Sequence, residues 1–472
     1  MVHLLDLPDE LLIQICGAFP QADISDIKSC RLSCQRLCAA SSHLLVPLVA
    51  VDCRKASLER FTKILHHPTI SRGVRIVRVP IHSYRHELSD LCASFVKFVV
   101  EPALHARAAH DHHRRAALCF FRRYLDGHGD GTPLEHEDSL WLRALRLVHG
   151  EYRRLYREQE ALRSEGTFVD TVALAVATMP RGTVLIYDDK PCSTLDAASL
   201  QVLVREHCRL LGLDPSAWRP IWYEMLSPTT WTDLVRDDFG WEAFAPDPAF
   251  QEPQMDFILE LPGAIARAGG QVHDMRFDLS CETPLRHLGS GVATRSHLAS
   301  ATQQLQAFTL ISHQPQTETL THDYASSVLA RTPNLGFLRL DIASPGSHPD
   351  ILVSRLWPRL QNIHLAGVQL TLPDLVAFLD GLPAYVENMR LSSVHLMQGS
   401  WADALEALRQ KSYGSFTVED PRGSEAEHVG VAFETGGNGP GDRFVKRVRV
   451  PGGLSPAEAF VRRVTDTNPC QS

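Results

Sequence analysis

Two eleven-residue segments share one spacing of apolar side chains, and that spacing restricts the fold more than any other feature of the chain. LQNIHLAGVQL places Leu360, Ile363, Leu365, Val368 and Leu370, and VENMRLSSVHL places Val386, Met389, Leu391, Val394 and Leu396, 26 residues further on. Both follow the leucine-rich spacing L-x-x-L-x-L-x-x-N-x-L, with Val where Asn is usual. Such a unit pairs one strand with one helix and cannot cover its own apolar face, so neighbours must stack.

A longer echo runs upstream. A helical segment at 168–178 leads through Met179 and Pro180 into an apolar run at 184–187. The same design returns 153 residues later, aligning Ala177 with Ala330, Pro180 with Pro333, Leu185 with Leu338 and Tyr187 with Leu340. A third copy begins with LPDLVAFLDGLP at 372–383, and 275–279 and 308–311 are further strand candidates. The expected fold class is therefore α/β, with an irregular leucine-rich-repeat-like solenoid and a parallel sheet over 166–418. Residues 205–256, rich in Trp and Pro, fit no unit. A polar loop containing GGNGPG, a last strand at 444–450 and a loose C-terminus are expected over 419–472.

Composition excludes several classes. Lys and Arg number 47 against 55 Asp and Glu, a net charge of −8, which argues against a protein that mainly grips nucleic-acid phosphates. No apolar run approaches the roughly 18 residues of a membrane span. The start of the chain carries Asp6, Asp9 and Glu10, without the basic-then-apolar order of a secretory signal. The 11 cysteines show no framework spacing, which suits free thiols in the cytoplasm or nucleus.

The first 50 residues carry the strongest motif. DLPDELLIQICGAF at 6–19 reads as a helix opened by Pro8, and ISDIKSCRLSCQRLCAA at 24–40 as one helix or two. Leu7, Pro8, Glu10, Leu11, Leu12 and Ile15, then Ile27, Arg31, Leu32, Arg36 and Leu37, resemble the F-box, with Leu37 where many members carry Trp. SLERFTKILHHPTISRGVRIVRV is similar to the stretch that succeeds the F-box in fungal-type members. The resemblance covers about 45 residues. It implies binding of the Skp-type linker of a cullin–RING ubiquitin ligase, through Leu7, Pro8, Leu11, Leu12, Ile15, Ile27, Leu32 and Leu37. The expected order is F-box at 1–50, connecting helix and first strand at 51–84, helix-rich charged segment at 85–165, then the repeats.

Other motifs read as structure. Cys30, Cys34 and Cys38, taken along a continuous helix, span about 12 Å, too far for one ion. His110, His112 and His113 do not share a helix face. Gly127, Gly129 and Gly131 lack the strand and the Lys-Ser/Thr ending of a phosphate loop, and Asp188-Asp189 reads as a turn and helix cap. No metal, cofactor or catalytic motif is expected.

The expected function is substrate recognition for an SCF-type ligase, without catalysis by this chain. The target would meet the outward positions of the repeat strands: Phe337, Arg339, Asp341, Asn362, His364, Asn388, Arg390 and Ser392. Among these Arg339, His364 and Arg390 would form a mildly basic row. The alternatives are a repeat scaffold outside any ligase, and an enzyme with its site in 205–260.

Overall fold

Asp9 and Glu10 occupy the first turn of helix Asp9–Gly17, directly after Pro8, where carboxylates meet the positive end of the helix dipole. The computed structural model describes residues 4–17, 24–105, 112–125, 136–179, 183–189, 202, 204–206, 208–209, 214–226, 256–279, 292–312, 318–342, 352, 356–429, 433–435, 445–447 and 455–470. The protein is α/β with a large parallel sheet. It divides into two compact units: Met1–Pro180 with Asp189–Phe257, and Arg181–Asp188 with Ile258–Ser472.

In the first unit, helices Ile24–Ser33 and Gln35–Ser41 come after the opening helix. Cys34 separates them with extended backbone (φ −164°, ψ 166°), and its Sγ accepts from the Leu37 N–H at 3.5 Å. The three cysteines are therefore not on one continuous helix. Leu12, Cys16 and Ala40 form the centre of this bundle, with Leu7, Cys30, Leu37 and Leu44 packed around them. Strand β1 (Leu48–Ala50) then pairs in parallel with β2 (Ile76–Pro80), and helix Lys55–Leu65 makes the crossover that a parallel pair requires. The apolar close of the N-terminal motif is thus partly a strand. At the start of the crossover helix, Arg54 and Asp52 form an ion pair with both side chains only 7% exposed.

Helices His112–Leu125 and His136–Ser164 carry much of the charged segment. Phe95, Phe121, Trp141, Leu145 and Tyr152 lie at its core together with Ile221 and Trp222. The last two belong to helix Pro215–Leu226, which lies in the stretch that fitted no repeat. The buried polar groups around Tyr84 are matched. Gln159 receives the Tyr84 N–H at 2.8 Å and donates to the Tyr84 carbonyl at 3.0 Å, and the Tyr84 hydroxyl donates to the Leu226 carbonyl at 3.0 Å. Leaving such groups unmatched would cost about 1–3 kcal/mol each.

The second unit turns the repeated spacing into rows of buried side chains. Its strands are β3 (Thr183–Asp188), β4 (Val272–Leu279), β5 (Ala307–Ser312), β6 (Phe337–Ile342), β7 (Asn362–Ala366), β9 (Tyr385–Ser392) and β11 (Ser412–Glu419), paired in parallel in that order. One register row runs Leu185, Met275, Phe308, Leu338, Ile363, Met389, Phe416, and the next runs Tyr187, Phe277, Leu310, Leu340, Leu365, Leu391, Val418. Every member of both rows is buried. Leu185 and Leu338, aligned by the 153-residue echo, thus occupy the same row three strands apart.

After each of the last three strands the chain turns through one residue in the left-handed region: Gly367 (φ 68°), Ser393 (φ 49°) and Asp420 (φ 45°). It then adds a short strand to a second parallel sheet, namely β8 (Gln369–Thr371), β10 (His395–Gln398) and β12 (Arg422–Gly423). The helices next in the chain are capped by their own sequence. Thr371 and Asp374 form a capping box on Leu372–Asp380, and the Ser400 hydroxyl accepts from the Asp403 N–H on Trp401–Arg409. Side chains also tie neighbouring turns, Thr302 donating to the Val328 carbonyl at 2.8 Å and Trp357 Nε1 to the Thr332 hydroxyl at 3.3 Å.

Two expectations for the C-terminal part are corrected. The end is not loose over the described residues 455–470. Ser455 and Glu458 form a capping box on helix Pro456–Val461, whose Phe460 is buried beneath the Arg409 guanidinium. Asn468 donates to the Ala402 carbonyl at 3.0 Å, so this segment covers helix Trp401–Arg409. The predicted last strand, β14 (Val445–Arg447), pairs antiparallel with β13 (Phe433–Thr435) in a sheet of its own rather than extending the parallel sheet. The GGNGPG segment lies outside the described residues. Among the described residues, no helix is long and apolar enough to cross a membrane.

Candidate functional site

The opening helix divides the residues that the sequence grouped together. Leu12 faces the bundle centre and is 1% exposed, whereas Leu11 and Ile15, four residues apart on the other side, are 43% and 39% exposed. Leu32, on the second helix, is 88% exposed. Pro8 is exposed, Leu7 and Leu37 are half-buried against the core, and Ile27 is buried. Leu12 and Ile27 are therefore corrected from contact residues to core residues: no partner reaches them without opening the bundle. The sequence reading missed Leu4, Leu5 and Ile13, which are also exposed.

Arg36 fixes the shape of this edge. Its guanidinium donates to the Leu5 carbonyl, to the Leu7 carbonyl at 2.8 Å and to Asp9 Oδ1 at 2.5 Å. One basic side chain on the third helix thereby holds the backbone on both sides of Leu7. The Arg36–Asp9 pair is exposed, so it contributes little to global stability. We expect Arg36→Ala to leave the melting temperature within about 2 °C. Amide exchange over residues 5–9 should accelerate, and affinity for a ligand of the edge should fall about tenfold, the loss of one or two charge-assisted hydrogen bonds. Exchange mass spectrometry and calorimetry check both, and unchanged exchange over 5–9 would remove Arg36 from this role.

On the second unit, register brings all eight expected target residues together. Phe337, Asn362 and Asn388 form one row; Arg339, His364 and Arg390 a second; Asp341, Ala366 and Ser392 a third. Each of the eight is exposed or half-buried, because these positions alternate with the buried rows. The middle row is not the basic strip that the sequence suggested. Arg339 pairs with Asp341 at 3.2 Å and Arg390 with Glu419 at 2.8 Å. Further along the sheet, on β4, Arg276 meets Asp274 at 2.5 Å. Burial, and then Arg339 and Arg390, pushes the His364 pKa below the ordinary histidine value and holds the ring neutral. The Arg339–Asp341 and Arg276–Asp274 pairs are separated by two residues on one strand face and were readable from the sequence. Glu419 lies 29 residues from Arg390, and only the register joins them.

The other sequence candidates assemble nothing comparable. Cys34 caps a helix, while Cys16 and Cys30 meet in the bundle, where burial and then Cys30 push the Cys16 pKa upward. Asp188 and Asp189 are buried at the end of β3. His110, Gly127, Gly129 and Gly131 lie outside the described residues. Among the described residues, no three His, Cys, Asp or Glu side chains gather as a metal set. No family model matches the chain, and no curated protein matches it.

Proposed function

We propose that this chain is the substrate-recognition subunit of an SCF-type cullin–RING ubiquitin ligase, with an F-box in its first 50 residues and a leucine-rich-repeat-like solenoid as its target-binding part. The observation that carries the reading is the exposed apolar pair Leu11 and Ile15 on the first helix of an N-terminal three-helix bundle, with Leu32 exposed on the second, where Arg36 clamps the Leu-Pro segment. Water-facing leucines in a bundle this small are a poor surface for an isolated module and a good one for a partner groove. Aliphatic anchors at the centre of an interface commonly supply most of its affinity.

The mechanism is positioning. The bundle takes the Skp-type linker, the repeat strands take the target, and the ligase's other subunits perform the ubiquitin chemistry. Holding the target's lysines near the charged conjugating enzyme raises their effective concentration without any chemistry in this chain. The test is direct mixing of the full chain with a Skp-type linker. A one-to-one complex on size exclusion with a calorimetric Kd in the micromolar range or tighter is expected. Absence of any complex at high concentration would sink the reading and leave a repeat scaffold outside the ligase.

A further inference from the structure

We infer that the strand face of the second unit takes an extended, basic, unphosphorylated segment of a target protein. The inference rests on the substrate-receptor reading and deepens it by naming the class of target segment.

Three observations carry it. First, the charge count on this face is acidic. Among the described residues, the outward positions of β4 to β11 hold four carboxylates, on Asp274, Asp278, Asp341 and Glu419, against three guanidinium groups, on Arg276, Arg339 and Arg390, and a fifth carboxylate, on the exposed Glu387, reaches the outward Asn362 from the start of β9. The ring between the last two arginines is held neutral. Second, each of the three guanidinium groups already meets a carboxylate of the same face. A phosphate arriving at Arg339 or Arg390 would sit directly beside Asp341 or Glu419, and like charges that close are strongly disfavoured. A lysine or arginine arriving at the same place meets the outer oxygens of those carboxylates with the internal pairs intact. Glu387 is the most accessible of them: it is exposed, and the Asn362 amide reaches it at 3.3 Å.

Third, an uncharged lane lies beside the ion pairs. Ala307, Phe337, Asn362, Asn388 and Ser415 share one register row across five strands. At about 4.8 Å between strands the lane is about 19 Å long, the length of an extended segment of about six residues. Phe337, 38% exposed, offers an apolar ledge. Asn362 and Asn388 offer amides, each with donors and an acceptor suited to a peptide backbone. The segment would lie across the strands with an apolar side chain on Phe337 and a basic one beside Glu387, two strands away.

The test uses the full-length chain and three pools of decapeptides, each randomised except for two fixed positions: Lys or Arg in the first pool, Asp or Glu in the second, phosphoserine in the third. The basic pool should be retained at least tenfold over the other two. The double variant Phe337→Ala with Glu387→Lys should lose that retention while keeping its melting temperature. Preferential retention of the phosphoserine or acidic pool would overturn the inference. So would equal retention of the basic pool by the double variant, or no retention of any pool. Linker capture, measured on the same samples, keeps the two readings apart. If the wild type captures the linker but fails the peptide test, only the target class is wrong; if it fails to capture the linker, the receptor reading itself falls.

Discussion

A chain carrying Leu365→Asp is expected to lose the cooperative unfolding transition of its second unit. Leu365 is fully buried and stands in register between Leu340 and Leu391, inside a row that runs from Tyr187 to Val418. Removing a buried leucine side chain costs about 2–5 kcal/mol in lost burial and residual cavity. Placing a carboxylate there adds several kcal/mol more, because neither side-chain neighbour in the row, Leu340 nor Leu391, can donate to it. The sum matches the roughly 5–15 kcal/mol by which whole domains are stable. Each strand of the row leans on its two neighbours, so the damage should spread through the sheet. The control is Asn362→Ser on the same strand, a half-buried position facing water where the change gives up only a long hydrogen bond to the exposed Glu387 and should stay within about 1 kcal/mol. Thermal melts monitored by circular dichroism, with limited proteolysis to locate the opened region, separate the outcomes. A Leu365→Asp chain that melts like the wild type would show that the buried rows are not the core of this unit.

The rows explain how far the fold could be read from the residues. The 26-residue pair and the 153-residue echo were legible because apolar side chains recur at the spacing that one strand imposes on its inward positions. Earlier members were read as strand candidates or as part of the echo, not as members of the leucine-rich series, although they share that spacing. Val272, Met275 and Phe277, then Leu305, Phe308 and Leu310, then Leu335, Leu338 and Leu340 all repeat it. Their separations vary because the connecting segments vary, and a fixed period hides them. The last member, Tyr413, Phe416 and Val418, carries aromatic and branched residues and ends in Pro421 and Gly423, so a search for leucine passes over it. The left-handed turn at Asp420, equivalent to those at Gly367 and Ser393, shows that it is the same turn design. Ser455 and Glu458 were also a readable helix start, three residues apart around a proline, hidden only by the polar stretch before them.

The candidate sites divide along the same line. Alternation along a strand correctly placed Phe337, Arg339, Asn362, His364, Asn388 and Arg390 on one face, because side chains alternate whatever lies beside the strand. The electrostatics of that face were not legible, since the carboxylate that occupies Arg390 comes from the next strand. On the opening helix Leu11 and Ile15 were correctly put on one side, but Ile13 was passed over and Leu12 was assigned to the partner. A nine-residue helix with Leu or Ile at 11, 12, 13 and 15 is apolar around most of its circumference, so the period alone cannot say which residues the bundle keeps.

That division decides the sharpest test of the linker edge. The double variant Leu11→Asp with Ile15→Asp should abolish linker capture, while Leu12→Ala should unfold the bundle instead. Leu11 and Ile15 already face water, so two carboxylates there require no buried charge, and the far-ultraviolet spectrum and melting temperature should stay near those of the wild type. Each residue, as a central aliphatic anchor, is worth about 2 kcal/mol or more of binding, and a carboxylate forced into an apolar groove adds its desolvation cost. Together the loss exceeds about 4 kcal/mol, about a thousandfold in Kd. Leu12, 1% exposed among Cys16 and Ala40, contributes to binding only by keeping the bundle folded. Its removal should therefore lower affinity and melting together, whereas the edge variant lowers affinity alone. Titration of the linker into each variant, with melts on the same samples, reads the split. If the Leu11 and Ile15 variant still binds within about tenfold of wild type, the linker does not dock on this edge.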